Sequence, residues 1–225
     1  MLVNAFAMAV AQLSDPRVRR PLMLSLGLTV ACYVTLVVVL WVSLGSIEVV
    51  QPAWLDRVID IAGGLGAIVV ALIFFPAVVT AFVGLFLEQV ADAVEARHYP
   101  TLAPARDVPM TESILGALSF AGTALVLNLI ALPFYVFLPA ANIVLFLLLN
   151  GYLLGREYQE MVAARRQTNT EMRADRRHHR MTLLLAGMAI AGMMVVPFVN
   201  LLAPLVATAF MVHVVQALRA KASSA

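Results

Sequence analysis

Two stretches of this chain, residues 22–44 and 61–87, contain no Asp, Glu, Lys or Arg. As helices rising ~1.5 Å per residue, both exceed the ~30 Å hydrocarbon layer of a bilayer. Composition points the same way. Hydrophobic residues make up 62% of the chain and charged residues 12%, and mean hydropathy is +0.93. A soluble domain carries roughly a quarter of its residues charged. The chain therefore reads as an integral membrane protein. Its apolar segments have helical lengths and lack turn-rich alternation, so a β-barrel is not expected. At 225 residues there is room for one helical domain over 1–225,.

Charge placement orients the spans. Residues 46–60 between them carry Glu48, Asp56, Asp60 and one basic residue, Arg57. The other 14 of the 15 Arg and Lys residues lie before residue 22, in 87–113, in 155–182, or after 216. By the positive-inside rule these segments, with both termini, face the cytoplasm and the 46–60 loop faces outside. Residues 1–13 have no positive n-region, so a cleaved leader is not expected. Leu2, Phe6, Val10 and Leu13, with Ala9, share one helical face, which predicts an amphipathic N-terminal helix in an interfacial segment over 1–20. Cys32 is the only cysteine, which excludes an intrachain disulfide,.

The second half predicts two hairpins, over 113–155 and 182–217. Their tips are bracketed by prolines: Pro133-Phe-Tyr-Val-Phe-Leu-Pro139 and Pro197-Phe-Val-Asn-Leu-Leu-Ala-Pro204. Neither tip holds a charge. The arms 140–155, 183–196 and 203–216 span only about 21–24 Å as helices, which predicts partial insertion from the cytoplasmic side. The first arm is longer, with Thr111 as a candidate cap and Glu112 in its first turn. Irregular backbone at membrane depth survives only when buried in protein or facing water. The tips are therefore candidate borders of a polar path, with Asn128, Asn142 and Asn200 as the polar groups near them. Each amide can equally serve the backbone of its own turn.

The chain carries no HExxH, GxSxG or GxxxxGK motif, and no catalytic residue, cofactor site or metal site is predicted. Adjacent His178 and His179 point about 100° apart on a helix and do not share an ion. Gly151 and Gly155 form a GxxxG, which permits close helix packing. The basic run Arg176–Arg180 suits anionic headgroups, and His213 suits a hydrogen-bonded structural role. The segment Asp15-Pro16-Arg17-Val18-Arg19-Arg20 carries more chemistry. Asp15 can cap a helix with Pro16 at its first position, or Pro21 can open the helix instead. Either way, guanidinium groups gather near a helix N-terminus, which suits a tetrahedral oxyanion. The same arginines also suit a positive-inside anchor on lipid phosphate.

These motifs resemble the CysZ sulfate permeases and the wider etoposide-induced membrane protein family. The 197–204 segment matches the P-x-x-N-L-x-x-P signature, and Asp15-Pro16-Arg17-Val18-Arg19-Arg20 is similar to the family's P-G-[LI]-R-R. Residues 86–95, the 133–139 tip and Gly155-Arg156-Glu157-Tyr158 follow in the family's order. Arg17 stands where the family has glycine, and Glu157-Tyr158-Gln159-Glu160 where it has D-Y-P. The resemblance implies an all-α inner-membrane protein of bacteria, with two long transmembrane helices and two partly inserted hairpins. It further implies a homo-oligomer in contact with membrane lipids, no nucleic acid partner, and sulfate or a related oxyanion as substrate. Carried over, the anion-contacting positions are Val18, Arg19 and Arg20, with Arg17 beside them. The rival expectation is a non-transporting scaffold whose hairpins shape lipid or dock a partner.

Overall fold

The computed structural model describes residues 1–44, 61, 63, 64, 66, 78, 79, 82–84, 86–196 and 199–223. The 46–60 loop, most of the 61–87 span and the opening of the second tip at 197–198 lie outside them. Described helices are α1 (Leu2–Gln12), α2 (Pro16–Leu44), α3 (Leu87–His98), α4 (Met110–Phe137), α5 (Asn142–Ala163), α6 (Asn169–His178), α7 (Arg180–Val195) and α8 (Val199–Ser223). No strand occurs among the described residues. Among the described residues, four segments are long and apolar enough to cross a membrane: Pro16–Val39, Met110–Phe137, Pro139–Ala163 and Val199–Lys221. The protein is an all-α, multi-pass membrane protein.

The prolines do not break the hairpin arms where their spacing predicts. Pro133 lies inside α4, which continues to Phe137, and Pro204 lies inside α8. An internal proline removes one N–H, but the flanking apolar turns keep their own hydrogen bonds. The chain turns at Leu138 instead, and Pro139 opens a short 3-10 turn where its missing N–H is not needed,. The arms are longer as a result. α5 has 22 residues and α8 has 25, about 33 and 37 Å. α7 has 16 residues, about 24 Å, and falls short of a crossing. Thr111 does not cap α4; its N-cap position is Pro109, and Glu112 sits in the first turn.

α8 is the centre of the fold. It is mostly apolar around its circumference, as suits a helix surrounded by protein, and α1, α3, α5 and α7 pack around it. Leu205, Phe210, Met211 and Val212 are buried. α1 packs on α8 through Ala5, Ala9 and Gln12, with Phe6 edge-on to Phe210 at 5.6 Å. Of the predicted face, Ala9 is buried and Leu2, Phe6 and Leu13 pack against the core, whereas Val10 is exposed and polar Gln12 turns inward. The substitute driving force is burial against α8 rather than headgroups.

Glycines bring α5 and α7 together. A Cβ on Gly155 would fall on the Leu183 carbonyl, and one on Gly151 would lie 2.5 Å from the Met188 side chain. A Cβ on Gly187 would fall on the Gly151 carbonyl oxygen and 2.6 Å from the Gly155 nitrogen. The predicted GxxxG thus has a third glycine as its partner, so the two backbones approach closely without side chains between them.

Candidate anion site at the start of α2

Asp15 ends the corner between α1 and α2. Its carboxylate Oδ1 accepts the Arg17 N–H at 2.9 Å, and its carbonyl accepts from the N–H groups of Val18 at 3.0 Å and Arg19 at 2.9 Å. With Pro16 at the first helical position, this settles the two openings left by the sequence: the helix begins at Pro16 and runs through Pro21,. The first-turn N–H groups are therefore occupied by Asp15. Val18 is buried, whereas Arg17, Arg19 and Arg20 are exposed. Arg19 and Arg20 make no ion pair among the described residues. Their guanidinium forks are the groups with donors to offer.

The tertiary fold adds a fourth arginine. Arg97, in the last turn of α3, donates to Asp15 Oδ2 at 2.8 Å. One carboxylate is thus set against Arg17, Arg19, Arg20 and Arg97, which leaves the corner positive. The Arg17 amide and then the Arg97 guanidinium hold the Asp15 carboxyl below its usual 3.8,. Nothing local in the sequence signals this partner, because Arg97 comes from 82 residues away.

Beneath the corner lies a polar network that the sequence does not disclose. His98 Nε2 and Gln12 Oε1 are 2.8 Å apart, and the Tyr99 hydroxyl meets His213 Nδ1 at 2.9 Å. The His98 and His213 rings sit edge to face at 5.0 Å. Burial pushes the Tyr99 phenol up from 10.0. The expected hydrogen bond to His213 is present, but this histidine is buried and its Nε2 has no partner among the described residues. The network ties α1, α3 and α8 together directly under the arginines.

The tip amides bond close to home. Asn128 donates to the Ala124 carbonyl at 2.8 Å, and Asn142 to the Tyr135 carbonyl at 3.3 Å across the first tip. Asn200 is half-buried in the first turn of α8, with its own N–H on the Val196 carbonyl at 3.0 Å. No hydrogen bond joins these three to residues 15–20 among the described residues. Further ion pairs clasp the polar side of the fold. Arg165 pairs with Asp92 and Glu95, Arg166 with Glu95, and Arg106 with Glu112. Arg176, read from sequence as part of a headgroup-facing run, turns inward onto Gln159 and Glu160. Arg177 and Arg180 stay exposed. His178 and His179 stack edge to face at 4.5 Å where the helix breaks. No group of three metal-ligating side chains occurs among the described residues.

The cap has a measurable consequence. Asp15→Ala removes the cap and the Arg97 contact together, and is expected to cost about 1–2 kcal/mol of stability, read as a lower unfolding midpoint in detergent. Because the folded carboxyl titrates below its unfolded value, the wild-type advantage is complete above about pH 4,. It fades as pH falls through the lower, folded value. An Asp15→Ala protein with an unchanged midpoint at neutral pH would rule out the cap as a stabilising element.

Residues 5–204 match the family model described as sulfate transporter CysZ/etoposide-induced protein 2.4. No curated protein matches the chain. The match takes in the Asp15–Arg20 corner, both hairpin tips and the ion pairs between them.

Proposed function

This chain belongs to the sulfate transporter CysZ/etoposide-induced protein 2.4 family, and on that premise we propose that it is an anion permease of a bacterial inner membrane that takes up sulfate. The observation that carries the reading is the exposed Arg19 and Arg20 beside Arg17 and Arg97, without an ion pair among the described residues, where Asp15 is the carboxylate set against them. Sulfate at neutral pH is a dianion with no proton to donate, so its site must supply donors and positive charge. A positive corner at a helix start offers both. The positive-inside rule supports a cytoplasmic position for this corner and both termini. α7 then enters from the cytoplasmic side without crossing. The uncovered apolar side of α4 suits lipid and a neighbouring copy in a homo-oligomer.

The family is of the transporter type, and an enzymatic role is not part of this proposal. Its test is uptake of radiolabelled sulfate by the purified protein in liposomes. Accumulation above empty vesicles is expected. Uptake no greater than in empty vesicles, with the protein correctly inserted, would sink the reading.

A further inference from the structure

A second group of arginines lies away from the α2 corner. Between α4, α5 and α6 is a cavity of about 380 Å³, and none of its lining residues belongs to the 15–20 segment. α6 turns Asn169, Met172, Arg173 and Arg176 toward it, at the i, i+3, i+4, i+7 spacing of one helical face,. From α5 come Arg156 and Glu160, one turn apart.

The guanidinium groups here outnumber the charge that answers them. Arg156 Nε and Arg176 Nη2 both donate to one oxygen, Glu160 Oε1, at 3.0 and 2.6 Å. The other Arg156 nitrogens go to neutral hydroxyls, Thr123 Oγ1 at 2.7 Å and Ser119 Oγ at 3.0 Å. Arg176 Nε goes to the neutral amide oxygen of Gln159 at 3.1 Å. Arg173 has no ion pair among the described residues. Arg156 and Arg176 therefore share one carboxylate, and Arg173 adds a third guanidinium to the lining. Two other charged linings are answered elsewhere: Arg165 by Asp92 and Glu95, and Glu112 by Arg106. Glu88 is the remaining carboxylate at the cavity.

Arg156 is only 9% exposed. A cation held that far from water with half a counterion is costly, and an added anion relieves the cost. A tetrahedral oxyanion suits forked donors best. α4 lines the cavity with Leu115 and Gly116 as well as Glu112, Ser113 and Ser119, and Leu115 is 66% exposed beside exposed Ile114 and Leu118. The cavity thus opens where a basic wall meets a lipid-facing helix.

We propose that this cavity binds a tetrahedral sulfate or phosphate group through Arg173, Arg176 and Arg156, either as the free ion or as the headgroup of an anionic phospholipid whose tails lie along α4. The site is separate from the proposed transport contact at Arg19 and Arg20, so its failure leaves the uptake reading untouched.

Binding is measured on the purified full-length Arg19→Glu, Arg20→Glu protein, in which the α2 corner no longer attracts anions. The probes are inorganic sulfate, inorganic phosphate and dioleoylphosphatidylglycerol in mixed micelles, with dioleoylphosphatidylcholine as the uncharged control. Arg173→Gln is expected to weaken binding about tenfold, the loss of one charge-assisted hydrogen bond. Arg173 has no ion pair among the described residues, so this change leaves the thermal midpoint in place. Glu88→Gln is expected to tighten binding severalfold by removing a like charge. Weakening confined to phosphatidylglycerol assigns the site to a headgroup, and weakening of the inorganic ions assigns it to the free anion. Either supports the proposal. Unchanged binding of all anionic probes in both Arg173→Gln and Arg173→Glu overturns it, as does binding no tighter than that of the phosphatidylcholine control.

Discussion

Sulfate uptake by liposomes carrying the Arg19→Glu, Arg20→Glu protein is expected to fall to the level of empty vesicles. Each arginine offers charge-assisted hydrogen bonds worth roughly 1.5–3 kcal/mol to an anion. Losing two contacts costs on the order of a hundredfold or more in binding, and two carboxylates then repel the dianion as well. Both side chains are exposed and unpaired among the described residues. The thermal midpoint and the oligomeric state should therefore stay as in the wild type. Arg19→Lys with Arg20→Lys keeps the charge that sets topology but removes the planar fork. It should insert normally and transport more slowly. If the glutamate variant instead fails to insert, or inserts reversed, the arginines are topology anchors and the transport reading loses its site. High salt provides a further check, because the attraction of exposed charges weakens with ionic strength.

The second large effect is on stability. Gly187→Leu is expected to separate α5 from α7 and cost more than about 3 kcal/mol, above the usual penalty for overpacking. The usual penalty assumes that side chains can give way. Here the obstructing atoms are the Gly151 carbonyl and the Gly155 nitrogen, both backbone. α7 is also too short to hold itself in the bilayer without its neighbour,. Gly192→Leu is the control, because a Cβ there meets nothing within 4 Å. Heat-induced aggregation in detergent should begin far lower for Gly187→Leu than for Gly192→Leu. Similar onsets would show that the helices move apart at little cost.

Local chemistry was legible in the sequence where its partner was also local. Asp15 followed by Pro16 marks one of two helix starts the sequence offers, Pro21 being the other, because a cap bonds to amides two and three residues on. Gly151 and Gly155 announce a close approach on one helix face, but their partner Gly187 lies on another helix and no spacing rule reaches it. Proline spacing alone misplaces the ends of the hairpin arms. Pro133 and Pro204 sit inside helices, since one missing hydrogen bond does not end a long apolar helix. The arms consequently came out longer than their proline boundaries suggested. The Asp15–Arg97 pair and the Tyr99–His213 contact join residues 82 and 114 apart. Arg156 and Arg176 carried no sign that they would share Glu160. Their positions in a basic or mixed-charge stretch are the same whether a side chain faces headgroups or turns inward.

Apolar length, charge placement and the order of motifs were enough to determine a helical membrane protein and its family. Those are one-dimensional properties, set by what a residue costs in water or in lipid wherever it ends up. Which helix meets lipid and which meets protein is a different matter. α4 and α8 are similarly apolar, yet 6% of the apolar stretch of α4 is buried within the fold and 78% of that of α8. Lipid tails and core side chains are equally good solvents for leucine, so hydropathy does not distinguish them. The choice fell to tertiary packing: three glycines drew α5 onto α7, and α1, α3, α5 and α7 closed around α8. The same packing brought Arg97 to the α2 corner that the sequence had marked.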